Sequence, residues 1–266
     1  MALIHCHFFS HILGIWSSMN VILPQPEPEK ITRLPLPAEG PFRTLYLLHG
    51  LSDDHTGWQR RTSIERYVEG KRLAVVMPAV GRSFYHDLQH GGRYWTFISQ
   101  ELPAIARALF PLSVRREDTF AAGLSMGGYG AFRLALNCPD QYAAAASLSG
   151  ALDLVGIAHE IQTENTEMRA EFVGGFGDPA ALAGSPADLF AQAARVAKSE
   201  LRPRLWAWCG TEDGLLEQNR RFHDHAVQLG LDLTYSEGPG GHTWDCWDAQ
   251  IQQVVAWIDK FAGRTD

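Results

Sequence analysis

Residues 118–138, DTFAAGLSMGGYGAFRLALNC, constrain the fold more than any other part of the chain. Thr119-Phe120-Ala121-Ala122 is small and apolar enough to be a strand buried on both faces of a parallel sheet. Gly123-Leu124-Ser125-Met126-Gly127 then matches G-x-S-x-G. Tyr129, Phe132, Leu134 and Ala135 follow at helical spacing until Cys138-Pro139 ends the helix. Strand, sharp turn and helix form the context that a nucleophile elbow needs, in which the turn lifts a serine Oγ clear of the sheet. Glycines flank the serine because a Cβ at either place would strike the neighbouring strand or helix. Taken alone, the pattern also suits a glycine-rich turn with an N-capping serine. The buried strand before it and the helix after it favour the elbow.

The rest of the chain sets limits. Its 266 residues, 45% of them hydrophobic, suffice for one α/β domain, 1–266, with a sizeable core. A formal net charge of −7 argues against nucleic acid and anionic membrane surfaces as partners. The four cysteines, Cys6, Cys138, Cys209 and Cys246, include no C-x-x-C pair and suit a reduced, cytoplasmic protein. No apolar run reaches membrane-spanning length. The apolar N-terminus has no Lys or Arg before Lys30 and is interrupted by His5, His7 and His11, so it reads as a β-hairpin over 3–10 and 15–23, not as a signal peptide.

Residues 24–37, with the run PQPEPE, read as a surface connection. Thr44-Leu45-Tyr46-Leu47-Leu48 is a second buried strand and runs straight into His49-Gly50-Leu51, where a glycine lets the backbone turn its amides toward a ligand. Thr62-Ser63-Ile64-Glu65 fits a capping box, and 73–78 is a third buried strand. An aromatic loop, 81–87, leads to Tyr94-Trp95-Thr96-Phe97 and a helix over 101–110; these aromatics either line a pocket or simply pack. His86 and His90 are four apart, but the segment lacks the glutamate of H-E-x-x-H and is glycine-rich, so no metal is expected. Further strands are expected over 142–149, 205–209 and 231–236, with helices over 215–229 and 245–261. The irregular stretch 151–200 reads as a partly helical cap insertion over the site. Alternating strands and helices predict a mostly parallel central sheet with helices on both faces.

A serine nucleophile needs a base, and the base needs a third group to hold its tautomer. Of the eleven histidines, His159, His223, His225 and His242 follow Ser125. His159 falls in the cap, and His223 and His225 fall within a helix. His242 alone stands in a glycine-rich loop between a strand and a helix. Among the acids, Asp213 lies just past a buried strand, at the sheet end where open α/β sheets gather their sites, and Glu212 is the neighbouring alternative.

Together LYLLHGLSDDHTGW, AGLSMGGYGAFRLAL, WAWCGTEDGL and GGHTWDCW resemble the esterase D group of α/β hydrolases, most of all the bacterial tributyrin esterases. The likeness runs through nearly the whole chain and is weakest in the cap. It implies the α/β-hydrolase fold and a serine carboxylesterase for short-chain acyl esters. It implies a Ser125, Asp213 and His242 triad and Leu51 and Met126 amides as oxyanion donors; Gly50, Trp95 and Trp244 are the candidate substrate contacts. It implies no cofactor, a small acyl ester as substrate, and a homo-oligomer. The same superfamily holds S-formylglutathione hydrolases, acetylxylan and feruloyl esterases, and mycolyltransferases. Formylglutathione hydrolases tend to carry G-H-S-M-G-G, where this chain has Leu124. A catalytically silent scaffold is the alternative from another class, and intact Ser, Asp and His in order count against it.

Overall fold

The computed structural model describes residues 1–25, 40–163 and 175–260. Its strands are β1 (Ala2–Ser10), β2 (Ile15–Leu23), β3 (Arg43–Leu48), β4 (Leu73–Pro78), β5 (Thr119–Leu124), β6 (Ala144–Leu148), β7 (Arg204–Gly210) and β8 (Leu233–Gly238). The helices used below are α1 (Gly57–Arg61), α2 (Ile64–Tyr67), α3 (Leu102–Leu109), α4 (Met126–Asn137), α5 (Leu154–Thr163), α6 (Leu189–Val196), α7 (Leu216–Gln228) and α8 (Trp244–Asp259). The strands form one sheet in the order β1-β2-β4-β3-β5-β6-β7-β8. The β1/β2 and β2/β4 pairs are antiparallel and every other pair is parallel.

Alternation along the central strands explains why they read as continuous apolar runs. Tyr46, Val76, Ala121, Ala145 and Ala207 point into the core beneath α3, α4, α6 and α7. Their neighbours Leu45, Val75, Ala122, Ala146 and Trp208 point into a second core beneath α1, α2 and α8. Every position is therefore buried whichever face it takes, as a sheet covered on both sides demands. The sheet joins seven strand pairs without a break, and the chain has the α/β-hydrolase fold.

Three local expectations need correction. Ser63 takes the N-cap position of α2 without a side-chain capping bond, and no capping box forms at Thr62: the Ser63 N–H goes to Asp248 Oδ1 at 3.2 Å, while Thr62 Oγ1 accepts the Ile64 N–H and donates to Trp58 O. The helix expected over 101–110 starts earlier, with a turn at Tyr94–Thr96 and a π turn at Phe97–Glu101 running directly into α3. The last strand sits two residues later than the pattern 231–236, because Leu231 serves instead to close the turn after α7. The connection expected over 24–37 lies outside the described residues from 26 on, as do 164–174 of the expected cap and Phe261 of the last helix.

Candidate active site

Five segments meet at the carboxyl ends of the parallel strands: the turn after β5 with Ser125, and the segments after β3, β6, β7 and β8. Ser125 has φ 53 and ψ −120, a left-handed region that a non-glycine residue enters at a cost of about 1–3 kcal/mol. Both sides of its backbone are tied down: its N–H donates to Leu148 O at 2.9 Å, and its carbonyl accepts from Ala151 and Tyr129. The flanking glycines leave no room for a side chain. A Cβ on Gly127 would lie 2.4 Å from Leu48 O, and one on Gly123 would lie 2.4 Å from Gly127 O.

Asp213 and His242 are brought together across the β7 and β8 ends. Asp213 Oδ2 accepts from His242 Nδ1 at 2.9 Å, and its Oδ1 accepts the Leu215 N–H at 2.9 Å. The carboxylate is wholly buried and the imidazole about a third exposed, at 37%. Burial alone would raise the Asp213 pKa, but the hydrogen bonds from His242 and Leu215, with the Ser149 hydroxyl nearby, outweigh it and hold the carboxyl below its ordinary value. The group is thus ionised at neutral pH and accepts from Nδ1–H, which leaves the His242 Nε2 lone pair free.

The rival candidates do other things. Glu212 is exposed; it accepts the Gly240 N–H and the Thr211 hydroxyl, and so pins the loop that carries His242 to the turn that carries Asp213. Gly210 permits that approach, since a Cβ there would lie 2.0 Å from Gly240 O. His223 stacks on Tyr235, His225 Nε2 bonds Phe190 O, and His159 is exposed.

The loop after β3 is braced by residues that sequence reasoning missed. His49 is buried, and its Nε2 accepts the Val80 N–H at 3.0 Å, so its Nδ1–H donates to Gly50 O at 2.7 Å. Burial holds its pKa below the ordinary value, in keeping with this neutral tautomer. Tyr85 Oη donates to His49 O at 2.9 Å and Trp58 Nε1 to Leu48 O at 2.9 Å. Three consecutive carbonyls are thereby anchored. Because a peptide is planar with its N–H opposite its C=O, anchoring Gly50 O also sets the direction of the Leu51 amide. Among the described residues neither the Leu51 nor the Met126 amide donates a hydrogen bond, and Met126 N–H is one of the unpaired donors at the start of α4. Ser149, buried at φ 48, turns its hydroxyl toward Asp213 and the Cys209 thiol, which burial pushes up to about 12.

An apolar cavity of about 220 Å³ starts at Leu51 and runs between the 81–94 loop and α5, lined by Phe84, Leu88, Tyr94, Ile157, Ile161 and Phe176. Neither Trp95 nor Trp244 lines it. Trp95 instead packs beneath the buried Arg133 guanidinium, 4.3 Å from its centre, and leaves its neighbour Tyr94 to face the cavity. Trp244 stands edge-on to Trp58 and Trp247, and Trp247 stands edge-on to His242. Gly50 lies beside Ser125, where an added Cβ would be 3.7 Å from Ser125 Cβ. His86 does not pair with His90: its Nδ1 faces Arg133 at 3.0 Å, and among the described residues no cluster of His, Cys, Asp or Glu could hold a metal ion.

Residues 17–258 match the Esterase family. The chain belongs to that family. An acetyl esterase of Caldicellulosiruptor saccharolyticus is 31% identical over 98% of this esterase and 99% of its own length. Two solved structures from Staphylococcus aureus are each 32% identical over 97% of the chain and 98% of their own. One is the fluorophosphonate-binding serine hydrolase F with substrate bound, at a TM-score of 0.86. The other is an S-formylglutathione hydrolase, at 0.84. Family and neighbours make this chain a carboxylic-ester hydrolase of the serine type. No helix among the described residues is long and apolar enough to cross a membrane.

Proposed function

We propose that this esterase hydrolyses short-chain acyl esters, with Ser125 as nucleophile, His242 as base, Asp213 as orienting acid and the Leu51 and Met126 amides as oxyanion donors. The observation that carries the reading is the buried, ionised Asp213 on His242 Nδ1, at the same end of the sheet as a serine held at positive φ. Ser125 Oγ attacks the ester carbonyl while His242 Nε2 takes its proton. The two amides stabilise the oxyanion, each contributing about 3 kcal/mol in comparable systems. Nε2–H then protonates the departing alcohol, and water activated by His242 releases the acid. The apolar cavity takes the acyl chain, and its volume of about 220 Å³ suits short chains. Residues 151–200 supply part of that cover through Ile157 and Ile161 of α5, and we treat them as a cap on a single domain. Four free cysteines support a reducing, cytoplasmic setting.

Initial rates on p-nitrophenyl acetate, butyrate, octanoate and palmitate, with Ser125→Ala as blank, test the reading. We expect the peak at acetate or butyrate. A peak at octanoate or beyond refutes the short-chain limit, and a wild-type rate from Ser125→Ala refutes the nucleophile. A second reading, thioester hydrolysis, draws support from the similarity to an S-formylglutathione hydrolase. It predicts a Ser125-dependent rate on that thioester exceeding the rate on butyrate.

A further inference from the structure

The loop that carries Leu51 separates two cavities of opposite chemistry. The apolar one begins at Leu51. The second, about 260 Å³, begins at the next residue, Ser52, and is lined by Asp53, Asp54, Thr56, Arg60 and Arg61. It borders the reacting centre. A Cβ on Gly50 would lie 3.0 Å from Asp53 Oδ2 and 3.7 Å from Ser125 Cβ, so both side chains pack around Gly50. Gly57, on the cavity wall, sits against Asp53 and against the Trp244 ring, two residues past His242.

The mechanism assigns a side to each half of the substrate. With the carbonyl oxygen on the Leu51 and Met126 amides, the leaving oxygen has to face the imidazole that protonates it, and the acyl chain has to point away. The polar cavity is on the side of the His242 loop: its Gly57 wall packs on Trp244, which stands edge-on to Trp247, and Trp247 stands edge-on to His242. The apolar cavity is on the Met126 side, since the Phe84 N–H contacts Met126 Sδ at 3.3 Å. The leaving group therefore enters the polar cavity.

We propose that this cavity is a leaving-group subsite for a polar alcohol or thiol bearing a carboxylate, bound by Arg60 and Arg61. This inference rests on the proposed triad. Both arginines are exposed on α1, and among the described residues neither is in an ion pair, so their guanidiniums are available for bidentate contact with a carboxylate. Asp54 is already committed, its Oδ1 taking the Thr56 N–H at 2.8 Å and hydroxyl at 2.6 Å. Asp53 accepts no hydrogen bond from a described residue and offers an acceptor, nearer the scissile bond, for a hydroxyl or amino group. An alkyl leaving group would gain nothing from this lining.

The test compares kcat/KM on 4-acetoxybenzoate and on its neutral methyl ester, for wild type and for Arg60→Gln/Arg61→Gln. Comparing each ester across the two proteins cancels the difference in leaving-group reactivity. The double variant is expected to lose at least about tenfold on the carboxylate ester and less than about threefold on the methyl ester. Added salt should shrink the wild-type preference and leave the variant unchanged. Equal losses on the two esters, or no loss on either, overturn the subsite. The single variants Arg60→Gln and Arg61→Gln give the same reading should the double variant not fold. Ser125→Ala separates the two levels: persistent turnover of the methyl ester by that variant refutes the triad, not the subsite.

Discussion

Replacing Asp213 by Asn tests the reading of the site most directly, because the structure dictates what the amide must do. Asp213 now accepts on both oxygens, from His242 Nδ1 and from the Leu215 N–H, each at 2.9 Å. Asn has one acceptor and one donor. If its oxygen stays on Leu215, its NH₂ faces Nδ1, the ring becomes the Nε2–H tautomer, and the base for Ser125 is gone. If its oxygen stays on His242, two donors meet at Leu215 in a fully buried place, at about 1–3 kcal/mol. In either case the imidazolium loses a carboxylate partner, worth on the order of 4 kcal/mol at an effective dielectric near 20. Together these amount to about 5–7 kcal/mol, or ~10⁴–10⁵-fold in rate. We therefore expect kcat on p-nitrophenyl acetate to fall by at least about 10⁴ with KM nearly unchanged. Glu212→Gln, which keeps an acceptor for the Gly240 N–H, should stay within about tenfold of wild type. A rate for Asp213→Asn within tenfold of wild type, or a larger loss in Glu212→Gln, would refute the assignment of the acid. Thermal melts of both variants exclude misfolding as the cause.

Two stability predictions follow from the packing and from the buried charges. Gly127→Ala drives a Cβ to 2.4 Å from Leu48 O and 2.7 Å from His49 O, both backbone, so strand β3 and the elbow cannot both keep their places. A loss of about 3 kcal/mol, seen as a Tm lower by about 6–12 °C, is expected. Gly214→Ala, with no described atom within 4 Å of its Cβ, should stay within about 2 °C; equal losses in the two variants would show that close packing is not what requires Gly127. Burial, aided by the Arg133 guanidinium, lowers the His86 pKa from 6.5 to about 4. Between these values the unfolded chain holds a proton that the folded chain lacks, so stability is full above pH 6.5 and falls as pH drops toward 4, by about 3 kcal/mol. Urea unfolding of wild type and His86→Asn at pH 7 and 4.5 should show a shallower acid loss in the variant, whose side-chain oxygen still accepts from Arg133. Parallel losses would mean that His86 does not titrate in this range.

Much of the site is legible in the order of residues. The elbow can be read because its causes are local: the buried strand, the two glycines and the helix all fall within 118–138. The strands at Arg43–Leu48, Leu73–Pro78 and Arg204–Gly210 are legible because both faces are covered and every position is apolar save Arg43, Thr44 and Arg204 at their starts. The strand Leu233–Gly238 is half exposed, and its weaker pattern points two residues too early. Trp95 illustrates the opposite case. Nothing in the order Tyr94-Trp95 says which ring faces a cavity; the buried Arg133, distant in sequence, claims Trp95 and leaves Tyr94 to the lining.

Residue types and their order along the chain were enough to specify a mostly parallel α/β sheet, a strained serine at a strand end, and an acid and a histidine on later loops. Such features follow from steric rules that act over a few residues. Folding in three dimensions settled the pairings. The approach of Gly240 to Gly210 makes Asp213 the partner of His242 and Glu212 the clamp of its loop. Contacts spanning 31 and 36 residues make His49 and Tyr85 the braces behind Leu51. A hydrogen bond or a cavity wall depends on the register between strands and on the volumes packed around it. Neither quantity is a property of any one segment.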